Sequence, residues 1–167
     1  MLNAHDTKAL NCGKPSLDAY IRDAASADEL SRAATVFVMV DPAEAATRRG
    51  IMGYYTLSAF AFQRDQTCRR DRDKSLPVYR TVPALLIGRF ALDLQFQGRG
   101  VGSTLLLAAL SKSLRLSEEL AIAVVVVLAL DDVAARFYIH QGFTAFKDEP
   151  RHPYYPVATI AAALANQ

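Results

Sequence analysis

Stretches of apolar and β-branched residues along the chain predict a series of β-strands. The clearest cover residues 35–40, 51–62 and 84–92. We expect residues 51–53 to fray into the preceding turn, and Gly88 to mark a bulge or a close backbone approach. The longest apolar run, 121–130, is too short for a bilayer-spanning helix of about 20 residues and predicts a central strand buried on both faces.

Segments with helical spacing alternate with these strands. Pro15 predicts the first turn of a helix that has Ser16 or Asn11 as its cap. The inward face of this helix is expected to carry the apolar residues Leu17, Tyr20, Ile21 and Ala24.

Two more helices follow, each next to a predicted strand. The first is expected from Ser103 to about Leu116, and its inward residues are Leu105, Leu106, Ala109 and Leu110. The second is capped by Asp131 or Asp132 and stops at Gly142. Short strands are then predicted at 143–146 and 155–160. This order indicates one α/β domain, residues 1–167, in which helices cover a mixed sheet.

The amino-acid composition is that of a globular protein. The 167 residues are 51% apolar and 22% charged, and their net charge of +2 gives no strong indication of nucleic-acid binding. The first ten residues lack the pattern of a signal peptide, so we expect a cytoplasmic protein with no membrane segment. Cys12 and Cys68 are expected to be free thiols without a catalytic role, and the histidines suggest no metal site.

A glycine-rich loop lies between the strand 84–92 and the helix that follows. Its residues are Gln97, Gly98, Arg99, Gly100, Val101, Gly102 and Ser103. Glycines let a ligand approach the backbone, and N–H groups at a helix N-terminus bind anions, so the loop suits a phosphate. It fits neither the P-loop nor the dinucleotide fingerprint. Taken alone, it is as compatible with a structural turn as with a ligand site.

A second segment, Phe137-Tyr138-x-x-x-Gly142-Phe143, follows the apolar run. An isolated Phe-Tyr pair near a helix end most often belongs to a core. In combination with the glycine loop, however, this segment resembles the acetyl-CoA-binding half of the GNAT N-acetyltransferase superfamily. The resemblance covers about residues 84–146 and implies a mostly antiparallel sheet with splayed central strands, flanked by helices.

The resemblance also implies roles for individual residues. The loop from Gln97 to Ser103 would hold the pyrophosphate of acetyl-CoA, and the pantetheine arm would lie along Phe90, Ala91 and Leu92. Phe137 would contact the cofactor too, as would Asp131, which stands where the family often has asparagine. Tyr138 would protonate the departing CoA thiolate after direct attack by an amine.

A narrower resemblance extends over nearly the whole chain. The segments Asn-Cys-Gly-Lys-Pro-x-Leu-Asp-x-Tyr at 11–20, Gly-Tyr-Tyr-Thr-Leu-Ser at 53–58 and Gly-Arg-Phe-Ala-Leu-Asp at 88–93 are similar to those of acetyltransferase toxins from bacterial toxin–antitoxin pairs. Such toxins acetylate aminoacyl-tRNA, form dimers in solution and are encoded with a ribbon-helix-helix antitoxin. The resemblance therefore implies an aminoacyl-tRNA substrate, a homodimer and such an antitoxin for this chain. Two alternatives stay open: acetylation of a small amine or a protein N-terminus, and a non-enzymatic CoA-binding module.

The charged segment 64–74 has two interpretations. Its basic and acidic residues alternate, which is typical of a solvated loop with internal ion pairs. Alternatively, it contributes to a basic rim that contacts tRNA phosphates. That rim would join the basic residues of the segment, Arg64, Arg69, Arg70, Arg72 and Lys74, to Arg48, Arg49 and Arg89. The substrate-binding candidates among them are Arg48, Arg49, Arg69, Arg70 and Arg89, and Arg89, beside the expected acetyl site, is the best candidate for the tRNA acceptor end. No residue is an obvious general base. An α-amino group, with a pKa of about 8, needs less help to lose its proton than a lysine does.

Overall fold

The computed structural model describes residues 5–41, 49–67 and 76–165. The strands are β1 (His5–Asp6), β2 (Thr35–Val40), β3 (Arg49–Gln63), β4 (Thr81–Leu92), β5 (Val124–Val127), β6 (Thr144–Ala145) and β7 (Pro153–Pro156). The α-helices are α1 (Pro15–Ala19), α2 (Ala25–Ser31), α3 (Val101–Glu119), α4 (Asp132–His140) and α5 (Val157–Ala165). Of these helices, none is both long enough and apolar enough to cross a bilayer.

The strands have the hydrogen-bonded order β1-β3-β4-β5-β7-β6, and β2 pairs with β3. The β1–β3 and β4–β5 pairs are parallel, whereas β2–β3, β5–β7 and β6–β7 are antiparallel. β3 and β4 are also antiparallel. Asp93 N–H donates to the Met52 carbonyl and Arg89 N–H donates to the Thr56 hydroxyl, so residue numbers rise along one strand as they fall along the other. The predicted fold class, a mixed and mostly antiparallel sheet with flanking helices, is confirmed.

The chain divides into two compact units, and β3 and β4 each contribute to both. One unit comprises residues 1–58 and 88–107, and the other comprises 59–87 and 108–167. The core of the first unit places helical residues Tyr20, Ile21 and Ala25 against Tyr54 of β3 and Ala91 of β4. The core of the second includes Phe62, Val124, Val126, Phe146 and Tyr154. A single domain over 1–167 stays a prediction.

The first helix begins at Pro15 as predicted, but its expected caps are wrong. Lys14 occupies the N-cap position and makes no side-chain cap bond. The Asn11 side chain instead accepts the N–H of Gly13, and the Asp18 carboxylate accepts the N–H of Cys12 over 2.9 Å. Asp18 therefore reaches back to satisfy the backbone at the start of the helix.

The inward face of this helical segment also differs from the prediction at one position. Ala24 is exposed, and Ala25 is buried in its place. The cause is a π-helical turn, Tyr20–Ala24, between α1 and α2. Such a turn adds a residue to the helical repeat and so moves every later side chain around the helix axis. Spacing based on 3.6 residues per turn fails at that point.

The β-strand predictions are right in position and partly wrong in extent. β3 begins at Arg49, so residues 51–53 belong to the strand and do not fray. β5 covers only four residues of the run 121–130, all of them buried, and beyond the strand Leu128 and Leu130 are 39% and 49% exposed. β4 is continuous through Gly88, and its ladder with β5 ends one residue earlier, at Ile87 and Val127.

The predicted strand at 155–160 is wrong beyond Pro156. β7 spans Pro153–Pro156, and the alanine-rich residues that follow form α5. Alanine is the strongest helix former, and here it outweighs the strand preference of the neighbouring Val157 and Ile160. α3 likewise begins at Val101 rather than at Ser103 and ends at Glu119. The four predicted inward residues of α3 are all buried.

Candidate active site

The glycine loop forms an open turn that leads directly into α3. Gly98 and Gly100 have φ angles of +72° and +80°, which glycine adopts without the strain that a side chain brings. A Cβ atom at either position would meet nothing within 4 Å. The carbonyl of Gly100 accepts the N–H of Ser103, and the first N–H groups of a helix have no intrahelical acceptor. This open backbone with helix N–H donors fits a pyrophosphate.

The side chain of Gln97 anchors the start of the loop. Its amide nitrogen donates to the carbonyl oxygens of Leu92, at 2.8 Å, and Cys12, at 3.1 Å. These two bonds connect the loop to the end of β4 and to the segment before α1. Gln97 therefore holds the loop in place through its side-chain donors, and its predicted contact with the cofactor stays a prediction, as do those of the other loop residues.

Asp93 is a buried residue that the sequence interpretation missed. It ends the motif at 88–93, and its carboxylate accepts two backbone N–H groups, those of Gln95 and Asn11, each over 2.9 Å. The first bond caps the short 3-10 helix Leu94–Phe96 that leads into the loop. An aspartate directly before a turn is a typical capping signal, which would have found this residue.

The C-terminal half of β4 presents one backbone edge away from β3. N–H groups alternate in direction along a strand, and those of Arg89 and Asp93 bond to β3. The N–H groups of Phe90 and Leu92 therefore face the opposite edge. Gly53 of β3 allows the two strands to lie this close together, because a Cβ added there would be only 2.7 Å from the Ala91 carbonyl oxygen. The predicted pantetheine residues Phe90, Ala91 and Leu92 thus include two donors on that edge.

Tyr138 lies on the buried side of α4. Only 3% of the residue is exposed, and its ring meets those of Phe137 and Phe143 edge-on, at centroid distances of 5.2 and 5.5 Å. Burial raises the pKa of Tyr138 well above its ordinary value of 10, so the phenol keeps its proton at neutral pH. A proton donor must be in this state before the reaction.

Asp131 is the N-cap of α4, as predicted. Its carboxylate accepts the N–H of Ala134 over 2.8 Å. This bond explains the residue by helix capping, and the predicted contact with pantetheine stays a prediction, as does that of Phe137.

Arg89 is surrounded by two residues that the sequence did not associate with it. Its guanidinium carbon lies 3.6 Å from the centroid of the Tyr20 ring, and one of its terminal nitrogens lies 3.8 Å from the Asp28 carboxylate. The Tyr20 hydroxyl donates to the same carboxylate over 2.9 Å. Burial, followed by this bond, raises the pKa of Tyr20 to about 12. The Tyr20 ring is stacked in turn against that of Tyr54.

Of the other predicted substrate arginines, the structure describes only the backbone of Arg49. Arg48, Arg69 and Arg70 lie outside the described residues, and Arg49 is described only by its backbone, as the first residue of β3. Cys68 and most of the charged segment 64–74 also lie outside the described residues. The basic rim stays a prediction.

The Cys12 thiol and the side chains that could bind a metal are two further kinds of reactive group. Burial raises the pKa of the Cys12 thiol to about 11, which leaves it protonated and a poor nucleophile at neutral pH. Within residues 5–41, 49–67 and 76–165, His, Cys, Asp and Glu form no group of three or more that could hold a metal ion.

Comparison with known proteins identifies the family. No protein-family profile matches the chain. A tRNA-acetylating toxin of Mycobacterium tuberculosis (strain ATCC 25618 / H37Rv) is 30% identical over 150 residues, which cover 90% of this chain and 85% of that toxin.

Solved structures share the fold. A tyrosine-to-phenylalanine mutant of KacT has a TM-score of 0.87 and 23% identity, and the match covers 96% of this chain and 92% of KacT. AtaT complexed with acetyl-methionyl-tRNAfMet has a TM-score of 0.86 and 23% identity, covering 96% and 93%. From the sequence identity over nine-tenths of its length, this chain belongs to the family of tRNA-acetylating toxins.

Proposed function

We propose that this chain transfers the acetyl group of acetyl-CoA to the α-amino group of an aminoacyl-tRNA and so blocks translation. The observation that carries the proposal is the 30% identity to the mycobacterial tRNA-acetylating toxin over 90% of the chain. The fold shared with AtaT, which has been solved with an acetylated aminoacyl-tRNA, supports the same substrate class. The open glycine loop before α3 supports acetyl-CoA as the donor.

In this proposal, residues of the first unit bind and orient the acetyl donor. The loop from Gln97 to Ser103 receives the pyrophosphate, and the edge of β4 that carries the N–H groups of Phe90 and Leu92 receives the pantetheine arm and the thioester. An N–H donor aimed at the carbonyl oxygen stabilises the charge that develops there, which is typically worth about 3 kcal/mol.

The chemical step is a direct transfer without an acyl-enzyme. The neutral amine attacks the thioester carbonyl carbon, the carbon–sulfur bond breaks, and the departing thiolate takes a proton from Tyr138. The new amide nitrogen releases its extra proton to solvent, and the phenolate left at Tyr138 takes a proton back from solvent. Because an α-amino group titrates near pH 8, and esterification of its carboxyl lowers that pKa further, the amine loses its proton at neutral pH with little help from the protein. We propose Tyr138 as the proton donor because the segment Phe137-Tyr138-x-x-x-Gly142-Phe143 resembles the one in GNAT N-acetyltransferases whose tyrosine has that role.

The experiment that tests this function uses radiolabelled acetyl-CoA. The protein is incubated with charged tRNA in one arm, and with deacylated tRNA, free amines or a peptide with a free N-terminus in the others. We expect label in the aminoacyl ester and none on deacylated tRNA. Label on the peptide or the amines, with none on any charged tRNA, would contradict the proposal and favour a different amine as substrate.

We also propose a cytoplasmic homodimer that a ribbon-helix-helix antitoxin neutralises. Charged tRNA and acetyl-CoA both occur in the cytoplasm, and AtaT has been solved bound to the C-terminus of its antitoxin AtaR. Light scattering of the purified protein should give twice the mass of the 18.3 kDa chain. A monomer at micromolar concentration would contradict the dimer.

A further inference from the structure

Arg89 keeps its hydrogen-bond donors uncommitted although its position is fixed. The guanidinium group has five N–H donors. Throughout residues 5–41, 49–67 and 76–165, none of these donors makes a hydrogen bond, and the carboxylate of Asp28, at 3.8 Å, is beyond that range. The side chain is 39% exposed. An arginine that is held in place but not hydrogen-bonded is suited to receive an anion from outside.

The contact with Tyr20 explains how both properties coexist. The ring stacks against the face of the guanidinium group, whose carbon is 3.6 Å from the ring centroid. The N–H donors lie in the guanidinium plane, so stacking occupies the face and leaves the donors available. Asp28 binds the Tyr20 hydroxyl and thereby restrains the ring, and the stacked ring of Tyr54 supports it from the core.

The position of Arg89 on β4 relates this group to the acetyl site. Arg89 directly precedes Phe90, where the proposed pantetheine edge begins, and its backbone N–H is fixed by the hydroxyl of Thr56. The phosphates of acetyl-CoA have their own candidate cradle at residues 97–103, beyond the other end of that edge. An anion bound at Arg89 would therefore belong to the second substrate.

We propose that Tyr20 and Asp28 are positioning residues that hold Arg89 as a phosphate-binding fork for the 3′ acceptor end of tRNA. This inference rests on the proposed function. A planar guanidinium group binds two oxygens of one phosphate at once, which a lysine ammonium does not. Fixing that fork beside the thioester orients the aminoacyl ester for transfer.

Binding of deacylated tRNA without acetyl-CoA tests the inference independently of catalysis. We expect Arg89→Gln to weaken binding by about tenfold at low salt, as the loss of one charge-assisted contact predicts. The slope of log K against log salt should become shallower by roughly 0.7 to 0.9. The matched control is Arg151→Gln, because Arg151 is committed to Asp132 over 2.6 Å and its loss changes the net charge equally.

Three further variants separate positioning from charge and from folding. Arg89→Lys retains the charge but loses the fork, and should weaken tRNA binding severalfold. Tyr20→Leu removes the stacked ring and should weaken it likewise, whereas Tyr20→Phe retains the ring and should stay within about twofold of the unmodified protein. In the transfer reaction, these variants should raise KM for charged tRNA and leave KM for acetyl-CoA unchanged. A general loss of folding would move both constants.

The outcomes distinguish the inference from the proposed function. If Arg89→Gln leaves both the affinity and the salt slope for tRNA unchanged, the inference is wrong and the proposed function can still hold. If the variant instead weakens acetyl-CoA binding alone, the phosphate at Arg89 is that of the coenzyme, and the inference is again wrong. If the unmodified protein neither binds nor acetylates tRNA, both fail.

Discussion

The backbone N–H of Asn11 donates to the carboxylate of Asp93 over 2.9 Å, across 82 residues of sequence. The other carboxylate oxygen of Asp93 accepts the N–H of Gln95, and the carbonyl of Asn11 accepts the N–H of Leu94. These bonds tie the segment before α1 to the turn that leads into the glycine loop. The loop is therefore supported by a buried polar network rather than by its own residues alone.

Asp93→Asn should destabilise this network. The carboxamide offers a single acceptor oxygen and turns an NH₂ group toward one of the two backbone N–H donors. We expect the free energy of unfolding to fall by about 1–3 kcal/mol, which urea denaturation would measure. Asp23→Asn is the control, because the Asp23 side chain is 64% exposed, and its effect should stay within about 0.5 kcal/mol. Equal effects of the two variants would contradict the role of Asp93.

Gly53→Ala should disturb the approach of β3 to β4. The added Cβ would lie 2.7 Å from the Ala91 carbonyl oxygen, a backbone atom that cannot move aside as a side chain can. Overpacking of this kind typically costs about 1–3 kcal/mol. Acetyl-CoA affinity should also fall, because the strain displaces the edge that carries Phe90 and Leu92. An unchanged unfolding midpoint would show that the strands separate easily here.

Gly100→Ala should weaken acetyl-CoA binding more than it weakens the fold. Its Cβ meets nothing within 4 Å, so the unliganded protein bears only the strain of a side chain at φ +80°, about 1–2 kcal/mol. The same methyl group enters the space proposed for the pyrophosphate, and the Kd for acetyl-CoA should rise at least about tenfold.

Gly13→Ala is the matched control for this prediction. Gly13 has a similar φ of +77°, but its Cβ would approach the side chain of Leu94 rather than open space. Titration calorimetry should show nearly unchanged affinity for this variant. If both variants bind acetyl-CoA as the unmodified protein does, the glycine loop does not hold the pyrophosphate.

Tyr138→Phe should lower kcat by about a hundredfold or more, because it removes the proposed proton donor and retains the ring packing against Phe137 and Phe143. The control is Tyr154→Phe, which removes the hydroxyl of another fully buried tyrosine in the same unit. Initial rates at saturating acetyl-CoA would measure the effect. Full activity of Tyr138→Phe would remove this residue from the mechanism.

Cys12 should be chemically silent in the folded protein. In a Cys68→Ser variant, a thiol reagent at pH 8 should titrate no thiol until denaturant is added, and one thiol afterwards. The thiol pKa is raised from 9.0 to about 11, so Cys12 contributes stability that is fully present below pH 9 and is lost as the pH rises through 11. A Cys12→Ala variant should lack this part of the alkaline loss. Rapid labelling of the native variant would contradict the burial.

The sequence predicted well those features whose cause is local. The glycine loop, the Asp131 cap and the strand at 35–40 each depend on a few consecutive residues, and the structure has the turn, the cap and the strand in those places. The errors arose where local signals conflict. Residues 155–160 combine β-branched and alanine residues, and the helix preference of the alanine-rich residues outweighs the strand preference from Val157 onward.

The surroundings of Arg89 show what lay beyond such local signals. Sequence placed this arginine beside the acetyl site, but it gave no reason to associate Arg89 with Tyr20 or Asp28. The π-helical turn that begins at Tyr20 also moved the buried face of the helix from Ala24 to Ala25. A shift of one residue cannot be read from spacing alone, because it depends on how the helix packs against β3 and β4.

By itself, the sequence determined the class of chemistry, because the glycine loop and the segment at 137–143 together resemble the acetyl-CoA-binding half of the GNAT N-acetyltransferases, and glycines before a helix N-terminus suit an anion. Only the tertiary structure decided which side chains support that chemistry. The stack of Arg89 on Tyr20 and the bonds from Asp93 to Asn11 join distant segments, and such contacts exist only after the sheet has brought those segments together.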